Sequence, residues 1–435
     1  MRILIVYDLN WNDKYSGNNL LSNWYEGFPA EFATIYCQPG LPFNKVCRHY
    51  FQITDLEMVK SIFTFKRAGH RLELAESDVP VVDPRRQGIY KLIKRLSYHF
   101  KNLVKLVEDA IWMCGRFNKK EIESFVKGFN PDVVFCGILA EPKMMRLHRI
   151  IKQYTEAPFV AFTGDREVGM GFYNLSPVFW LRQIFINNYF RHNAHLYSHY
   201  FMHSDVQAAE YRSKYGISTS TLFKCADFEE TAPSKEKTIN DPIIMVYAGH
   251  LFYNRWVALS EIAKSLKEIN KDSVKIILNI YTPDEILPKY TKFLNDNYFV
   301  YIKGSVSSQE LADVYKHADL ALQVESFDKE FKAFTQYSFS TKIIDLLACS
   351  CAIFALGWDG HCGFNYLKKN DAAICVESYK DLLPALENIV SHPEIINEYS
   401  TKAYNCGKRN HSRSVVHNQI METFETVINE TKQER

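Results

Sequence analysis

Short runs of apolar residues alternate with helical patterns along most of the chain. In the first half, the apolar runs that predict strands are RILIVYD (2–8), DVVFCGI (132–138), PFVAFTG (158–164) and YFMHSD (200–205). The second half repeats the pattern with apolar runs at 243–249, 274–281, 298–304, 320–324 and 352–357. The runs are continuous rather than alternating, which is typical of parallel strands buried on both faces.

Helical patterns between these runs, at 256–269 and 308–317, predict βαβ units. Such units have right-handed crossovers, so each half is expected to be an open, doubly wound α/β sheet. A chain of 435 residues suits two domains. The predicted division is an N-terminal Rossmann-like domain (1–228), a charged linker (229–242), a second Rossmann-like domain (243–408) and a C-terminal helix (409–435) that can pack back on the first domain.

Composition narrows the function classes. The net charge is +2 and the sequence pI about 7.9, too balanced to predict nucleic-acid binding. The ten cysteines include no CxxC, and Cys349, Cys351 and Cys362 with His361 fit no zinc spacing, so buried thiols in a reducing cytosol are expected. There is no Asp-x-Asp, and we expect neither a metal nor a cofactor. No uncharged stretch approaches the roughly 20 residues of a membrane-spanning helix, which predicts a cytoplasmic protein.

The stretch FSTKIIDLLA (339–348) opens a short apolar helix with Ser340, Thr341 and Lys342. One interpretation is an ordinary helix start, with Ser340 as N-cap and Phe339 packed on Ile344. The other is an anion on the first turn, held by backbone N–H groups, the Thr341 hydroxyl and the Lys342 ammonium.

A second candidate phosphate site lies in VYAGHLFYNRW (246–256), which predicts a strand, a glycine, a loop and a helix beginning near Asn254. Gly249 permits close approach of the backbone, and Arg255 can bind a phosphate bidentately. Both candidates follow strands at the carboxyl edge of one predicted sheet. That edge is where open α/β domains bind nucleotides, so the pair predicts a nucleoside diphosphate site.

Three segments of the second half resemble GT-B-fold glycosyltransferases of the group-1 type: VYAGHLFYNRWVALSEIAKSL, VYIKGSVSSQELADVYKHADLALQVES and STKIIDLLACSCAIFALG. The resemblance is weaker in the first half. It implies two Rossmann-like domains facing a cleft, with a nucleotide-sugar donor on the second domain. A glycan, polysaccharide or lipid-linked acceptor would bind mainly to the first.

The resemblance also assigns residues. Gly249, Arg255, Ser340, Thr341 and Lys342 would contact the donor's diphosphate, and Arg255 and Lys342 would offset charge on the departing group. Asp345 stands where the family has a Glu that binds the ribose hydroxyls. Tyr337 replaces a Glu that contacts the donor sugar, which leaves the sugar and the stereochemical outcome open.

In the first half, YDLNWNDKYSGNN (7–19) resembles a glycine-containing loop near the donor and nominates Gly17. PFVAFTGDREVG (158–169) resembles a stretch in which Asp165 would act as general base or orient the acceptor hydroxyl. Two alternatives stay open: a nucleotide-sugar epimerase on the same fold, and a non-catalytic nucleotide-sugar-binding module, which the loss of a carboxylate at Tyr337 favours.

The segment 85–113 combines an apolar stripe with many Lys and Arg residues. One interpretation is a helix that packs on the sheet and turns its charges to water. The other is a surface for anionic lipid or an anionic lipid-linked acceptor, which would attach the protein peripherally to the cytoplasmic face of a membrane.

Overall fold

The computed structural model describes residues 1–14, 20–72, 88–137, 141–164, 168–169, 174–228, 238–349 and 351–434, with the side chains of 88–99 and Ser308 outside the description. The chain forms two compact units. The first comprises Met1–Phe223 and the residues from Val416 onward, and the second comprises Lys224–Val415.

The described residues of the first unit form an eight-stranded sheet. Its strands are β1 (Arg2–Tyr7), β2 (Glu31–Tyr36), β3 (His49–Gln52), β4 (His70–Leu72), β5 (Val133–Gly137), β6 (Phe159–Thr163), β7 (His199–Met202) and β8 (Ser218–Thr221). Their spatial order is β4-β3-β2-β1-β5-β6-β7-β8. Only the β3–β4 pairing is antiparallel within this sheet.

The helices of the first unit are α1 (Leu20–Tyr25), α2 (Asp55–Phe63), α3 (Gly88–Cys114), α4 (Lys119–Phe129), α5 (Pro142–Lys152), α6 (Pro177–Asn193) and α7 (Asp205–Tyr215). Nearly all of α5 is buried, and both α3 and α6 pack against it. Helix α3 is kinked at Phe100, whose φ of −125° and ψ of 38° are not helical. The helices α3 and α6 therefore form an outer layer over α5.

The second unit has a six-stranded sheet in which every described pairing is parallel. Its strands are β9 (Ile243–Ala248), β10 (Ile276–Tyr281), β11 (Val300–Gly304), β12 (Leu320–Val324), β13 (Ala352–Leu356) and β14 (Ile374–Val376). Their spatial order is β11-β10-β9-β12-β13-β14. The order reverses direction between β9 and β12, which makes this point a topological switch.

The helices of the second unit are α8 (Arg255–Ile269), α9 (Pro288–Leu294), α10 (Ser308–Lys316), α11 (Lys329–Thr335), α12 (Lys342–Ala348), α13 (Cys362–Lys369), α14 (Leu382–Ser391) and α15 (Glu394–His411). The last helix is α16 (Arg413–Gln433). Its buried residues Val416, Ile420, Phe424 and Val427 recur at helical spacing. The Phe424 ring lies 6.2 Å from that of Phe135 in the first unit.

The sequence prediction of two α/β domains with parallel sheets is confirmed. Each apolar run contains a strand, as at 320–324, where the bounds agree with the prediction. Sequence reasoning missed several short strands, among them β8 with the sequence STST. That strand has no apolar pattern; its serines Ser218 and Ser220 instead bond the two ring nitrogens of His199, at 2.9 and 2.8 Å.

Candidate active site

The candidate site lies at the carboxyl ends of β9 and β12, the two strands that meet at the switch point of the second unit. Leu320 of β12 is paired with Met245 of β9, so the residues following both strands emerge along the same edge. Gly249 follows β9 and Glu325 follows β12. This is the position at which open α/β sheets form a ligand crevice.

The loop after Gly249 is fixed by hydrogen bonds. The Tyr247 hydroxyl donates to the carbonyl of His250 at 2.7 Å. The Asp284 carboxylate accepts from the backbone N–H of Leu251 at 2.6 Å, and its other oxygen lies 2.6 Å from His250 Nδ1. Tethering of this kind gives α8 a defined starting point without a side-chain cap.

The last two residues of this loop, Tyr253 and Asn254, have positive φ angles of 57° and 56°. Residues other than glycine adopt this left-handed backbone conformation at a cost in free energy, and such residues are concentrated at functional sites. The Asn254 amide donates to Asp328 at 2.7 Å, which holds the turn in place. Arg255 follows as the first residue of α8.

Lys342 is brought to the end of β9 by the start of α12. Its Nζ donates to the carbonyl of Ala248 at 3.1 Å and lies 4.6 Å from the centre of the Tyr247 ring. A Cβ added to Gly249 would approach this Nζ to 3.2 Å, so the absent side chain leaves the room that the ammonium occupies. Burial and the nearby Arg255 lower the pKa of Lys342 to about 8.

Arg255 and Glu325 form an ion pair, with Arg255 Nη2 at 3.2 Å from Glu325 Oε2. The Glu325 side chain is 3% exposed, and its other oxygen accepts from Gln323 Nε2 at 2.8 Å. Burial lowers the pKa of Arg255, but Glu325 and the Tyr247 hydroxyl outweigh it, and the net shift is upward. Arg255 therefore stays charged within an enclosed site.

His361, the residue before α13, faces the same carboxylate. Its Nδ1 accepts from the backbone N–H of Phe364 at 3.2 Å, so a neutral ring carries its proton on Nε2. That nitrogen lies 3.8 Å from Glu325 Oε1. Burial lowers the pKa of His361 more than Glu325 raises it.

Burial raises the pKa of Glu325, but its neighbours His361 and Arg255 outweigh burial, and the net shift is downward. The site thus contains one buried carboxylate between two cations, Arg255 and Lys342. Its net positive charge suits an anion.

Helix α12 starts one residue later than the interpretation with Ser340 as N-cap requires. Helix α12 begins at Lys342 with Thr341 as its N-cap, and no side-chain hydrogen bond caps it. Thr341 already has helical angles (φ −57°, ψ −24°), so it is the Ser340 carbonyl that accepts from the N–H of Ile343, at 2.9 Å. The Phe339 ring packs edge-on against Tyr366, 5.2 Å away.

Asp345, predicted to bind ribose, is an exposed residue of α12, and its Oδ1 lies 2.5 Å from Lys224 Nζ. Tyr337, predicted to face the donor sugar, is partly buried in the segment between α11 and α12. Gly17 and Asp165 lie outside the described residues. The roles assigned to these four residues remain predictions.

Sequence reasoning missed Glu325 and His361. A signal for Glu325 was present, since a carboxylate directly after the fully apolar start of β12 sits at the sheet edge used by ligands. His361 gave no signal for this role, because in the sequence it stands only beside cysteines whose spacing fits no zinc site. Within the described residues, no group of three or more His, Cys, Asp or Glu side chains could hold a metal ion.

At the corresponding edge of the first unit, a buried lysine forms ion pairs with several carboxylates. Lys143 Nζ lies 2.7 Å from Asp8, 3.0 Å from Glu108 and 3.5 Å from Glu141. Burial lowers the pKa of Lys143, but these carboxylates outweigh it and the net shift is upward. The cluster joins the end of β1 to α3 and α5 and is a structural element of this unit.

Comparison with known proteins places this architecture in a class. Residues 260–422 match the model of a family described as glycosyl transferase-like. No curated protein matches the chain. Among solved structures, E. coli trehalose-6-phosphate bound with UDP-2-fluoro glucose aligns at 9% identity and a TM-score of 0.58, over 98% of this chain and 99% of that one.

A glycosyltransferase from Rickettsia africae aligns at 13% identity and a TM-score of 0.58, over 98% of each chain. The pneumococcal O-GlcNAc transferase GtfA, in complex with UDP and GlcNAc, aligns at 12% identity and a TM-score of 0.50 over 72% of this chain. The present chain spans 61% of the length of GtfA. At these identities the likeness shows the fold.

The chain has the GT-B fold, with a parallel sheet in the second unit and a sheet in the first unit that is parallel except at the β3–β4 pairing. The resemblance to group-1-type GT-B glycosyltransferases is confirmed for the fold along nearly the whole chain. Residues 260–422 match the glycosyl transferase-like family model.

Proposed function

We propose that this chain is a glycosyltransferase that moves a sugar from a nucleoside diphosphate sugar to a glycan, polysaccharide or lipid-linked acceptor without a metal ion. The observation that carries the proposal is the meeting of Arg255 and Lys342 beside Gly249 at the switch point. The family match and the UDP bound in solved structures of the same fold support it. UDP is therefore the first donor nucleotide to test.

In this reaction the bond between the sugar's anomeric carbon and the diphosphate oxygen breaks, and a bond to the acceptor oxygen forms. Negative charge grows on the departing diphosphate. Arg255 and Lys342 would stabilise that charge in a largely buried site, where fixed cations act more strongly than in water. The acceptor hydroxyl loses its proton to a base, for which Asp165 remains the candidate.

The first test is a thermal shift with UDP and other nucleoside diphosphates, with and without EDTA. A ligand at a hundred times its dissociation constant stabilises the fold by about 2.7 kcal/mol. We expect UDP to raise the melting temperature equally in both buffers, and to do so far less in Lys342→Ala. Lys264→Ala is the matched control, since Lys264 is an exposed residue of α8 paired with Glu261.

Product analysis with UDP-sugars then separates the activities. Transfer to an added acceptor supports the proposal. Conversion of the UDP-sugar into an isomer without acceptor would establish the epimerase instead. Binding with no turnover of any donor would establish a binding module, and no response to any nucleoside diphosphate at millimolar concentration would refute the donor site.

We also propose that the first unit attaches to an anionic membrane surface on the cytoplasmic side, where a lipid-linked acceptor would be available. In the described part of α3, the apolar stripe is exposed rather than packed on the sheet, with Phe100 59% and Val107 52% exposed. Helix α6 beside it exposes Leu181 to 70%. The α3/α6 surface comprises Phe100, Leu103, Leu106, Val107, Leu175, Val178, Leu181, Ile184 and Phe185.

Charge on these two helices favours anionic lipid. Arg182 of α6 pairs with Asp109 of α3 at 2.6 Å, which joins the helices and neutralises that acid. The other acid of α3, Glu108, pairs with Lys143. Lys101 is exposed, and the sequence adds Lys91, Lys94 and Arg95, whose side chains lie outside the description. An exposed apolar surface with surplus positive charge is typical of peripheral membrane attachment.

Co-sedimentation with liposomes tests this attachment. Binding should require anionic lipid and decrease with salt. It should weaken when Lys91, Lys94, Arg95 and Lys101 become Gln, and when Leu103 and Leu181 become Gln. The control Ile286→Gln changes a similarly exposed apolar residue of the second unit. Absence of binding at low salt, or formation of a dimer through this surface, would refute the attachment. Within the described part of the chain, no helix combines the length and apolar character needed to cross a bilayer.

A further inference from the structure

The carboxylate of Glu325 needs an explanation that diphosphate binding alone does not supply. A negative charge repels the anion that Arg255 and Lys342 are proposed to bind. Yet Glu325 is only 2% exposed, and burying a carboxylate is costly unless it is paired. Its position directly after β12 places it at the centre of the site.

The hydrogen bonds of Glu325 fix both of its oxygens. Oε1 accepts from Gln323 Nε2 at 2.8 Å, and Oε2 accepts from Arg255 Nη2 at 3.2 Å. A guanidinium has five N–H donors in a planar fork, and this contact uses one terminal nitrogen. Glu325 therefore orients Arg255 without occupying the donors that a phosphate would need.

The groups that face Lys342 come from several elements. They are Tyr247 at the end of β9, Arg255 on α8, Glu325 after β12 and Asp345 on α12 itself. His361 before α13 faces Glu325 instead. Arg255 disfavours the charge on Lys342, whereas Glu325 and Asp345 favour it. Asp345 is half exposed and paired with Lys224, so Glu325 is the buried anion of this set.

We propose that Glu325 is the positioning residue of this site: it holds the Arg255 guanidinium at the end of β9 and keeps Lys342 charged, so that both cations are in place before a diphosphate binds. Its role is that of a fixed counter-charge, and it need not touch the substrate. The inference rests on the proposed function, because that function makes the diphosphate the common ligand of Arg255 and Lys342.

Calorimetric titration of UDP into the full chain, repeated across pH, tests the proposal. In Glu325→Gln, we expect affinity at neutral pH to fall about tenfold, since Arg255 loses its charged partner. The loss of affinity at alkaline pH should also begin at a lower pH, because Lys342 gives up its proton more easily. We call this loss the alkaline limb of the affinity profile. Replacing a residue with a merely structural role would not shift the pH of the alkaline limb.

Glu325→Asp separates charge from position. The aspartate keeps the negative charge, so the alkaline limb should stay where the wild type has it. Its shorter side chain withdraws from Arg255, so affinity should still fall. Glu261→Gln, which alters a partly exposed glutamate of α8 paired with Lys264, should leave both properties unchanged. Circular dichroism checks that every variant is folded.

The outcomes distinguish the inference from the function on which it rests. If the wild type binds no nucleoside diphosphate, the donor site itself is wrong. If the wild type binds UDP and Glu325→Gln binds it with the same affinity and pH profile, the positioning role is wrong. Should Glu325→Gln not fold, wild-type affinity in Glu325→Asp would overturn the role equally.

Discussion

Lys342 and Ala248 are joined by a hydrogen bond of 3.1 Å from the ammonium to the main-chain carbonyl, across 94 residues of sequence. This bond ties the first residue of α12 to the end of β9. A carbonyl fixes the position of an ammonium without neutralising it. The positive charge therefore remains available at the edge of the sheet where a diphosphate would arrive.

Removing either cation should slow sugar transfer. In Lys342→Ala and in Arg255→Ala, kcat/KM should fall about a hundredfold or more, because each group stabilises charge that grows on the leaving diphosphate. Steady-state kinetics with the best UDP-sugar measures this loss. Lys264→Ala should behave as the wild type, and unchanged kinetics in both active-site variants would mean that the phosphates bind elsewhere.

Affinity for UDP should decrease as the pH rises through about 8, where burial and Arg255 place the pKa of Lys342. Stability without ligand should respond in the opposite direction. Between this pKa and the ordinary value of 10.5, the unfolded chain binds the extra proton, so the contribution of Lys342 to stability rises with pH. Denaturant titrations of the wild type across this pH window would check that the free energy of unfolding rises with pH. The same titrations of Lys342→Met should lack this contribution to the pH dependence.

Gly249→Ala should weaken UDP binding while the protein remains folded. The new methyl would lie 3.2 Å from both Lys342 Nζ and the Tyr247 hydroxyl, so the flexible ammonium must move away. Gly128→Ala is a suitable control, since a methyl there meets nothing within 4 Å and lies in α4. Equal UDP affinity in the two variants would argue against a role for this close approach.

Lys143→Met should destabilise the first unit by about 3 kcal/mol or more, because it leaves buried carboxylates without their counter-charge. The nearest of these is Asp8, at 2.7 Å. Chemical denaturation monitored by circular dichroism measures the change. Lys127→Met removes an exposed lysine paired with Glu123 and should change stability by less than about 1 kcal/mol. A similarly small effect in Lys143→Met would show that the cluster contributes little.

The sequence alone determined the fold class and part of the candidate site. Continuous apolar runs marked the buried parallel strands, because a strand covered on both faces excludes polar residues along its whole length. Gly249, Arg255 and Lys342 were identified for the same local reason. Each lies where a strand ends or a helix begins, and these are the positions at which backbone and side chains meet a ligand in α/β domains.

Only the tertiary structure decided which groups act on one another. Glu325 meets Arg255 across 70 residues, and Asp345 pairs with Lys224 across 121. The tertiary structure also showed that the apolar stripe in the described part of α3 is exposed. Local patterns encode the period of an element and its burial, but partners distant in sequence are set by the order of strands and by the layer that covers each helix. The order of the strands is a property of the whole packed chain. Buried charges such as Glu325 are in turn tolerated only where the fold brings their counter-charges to them.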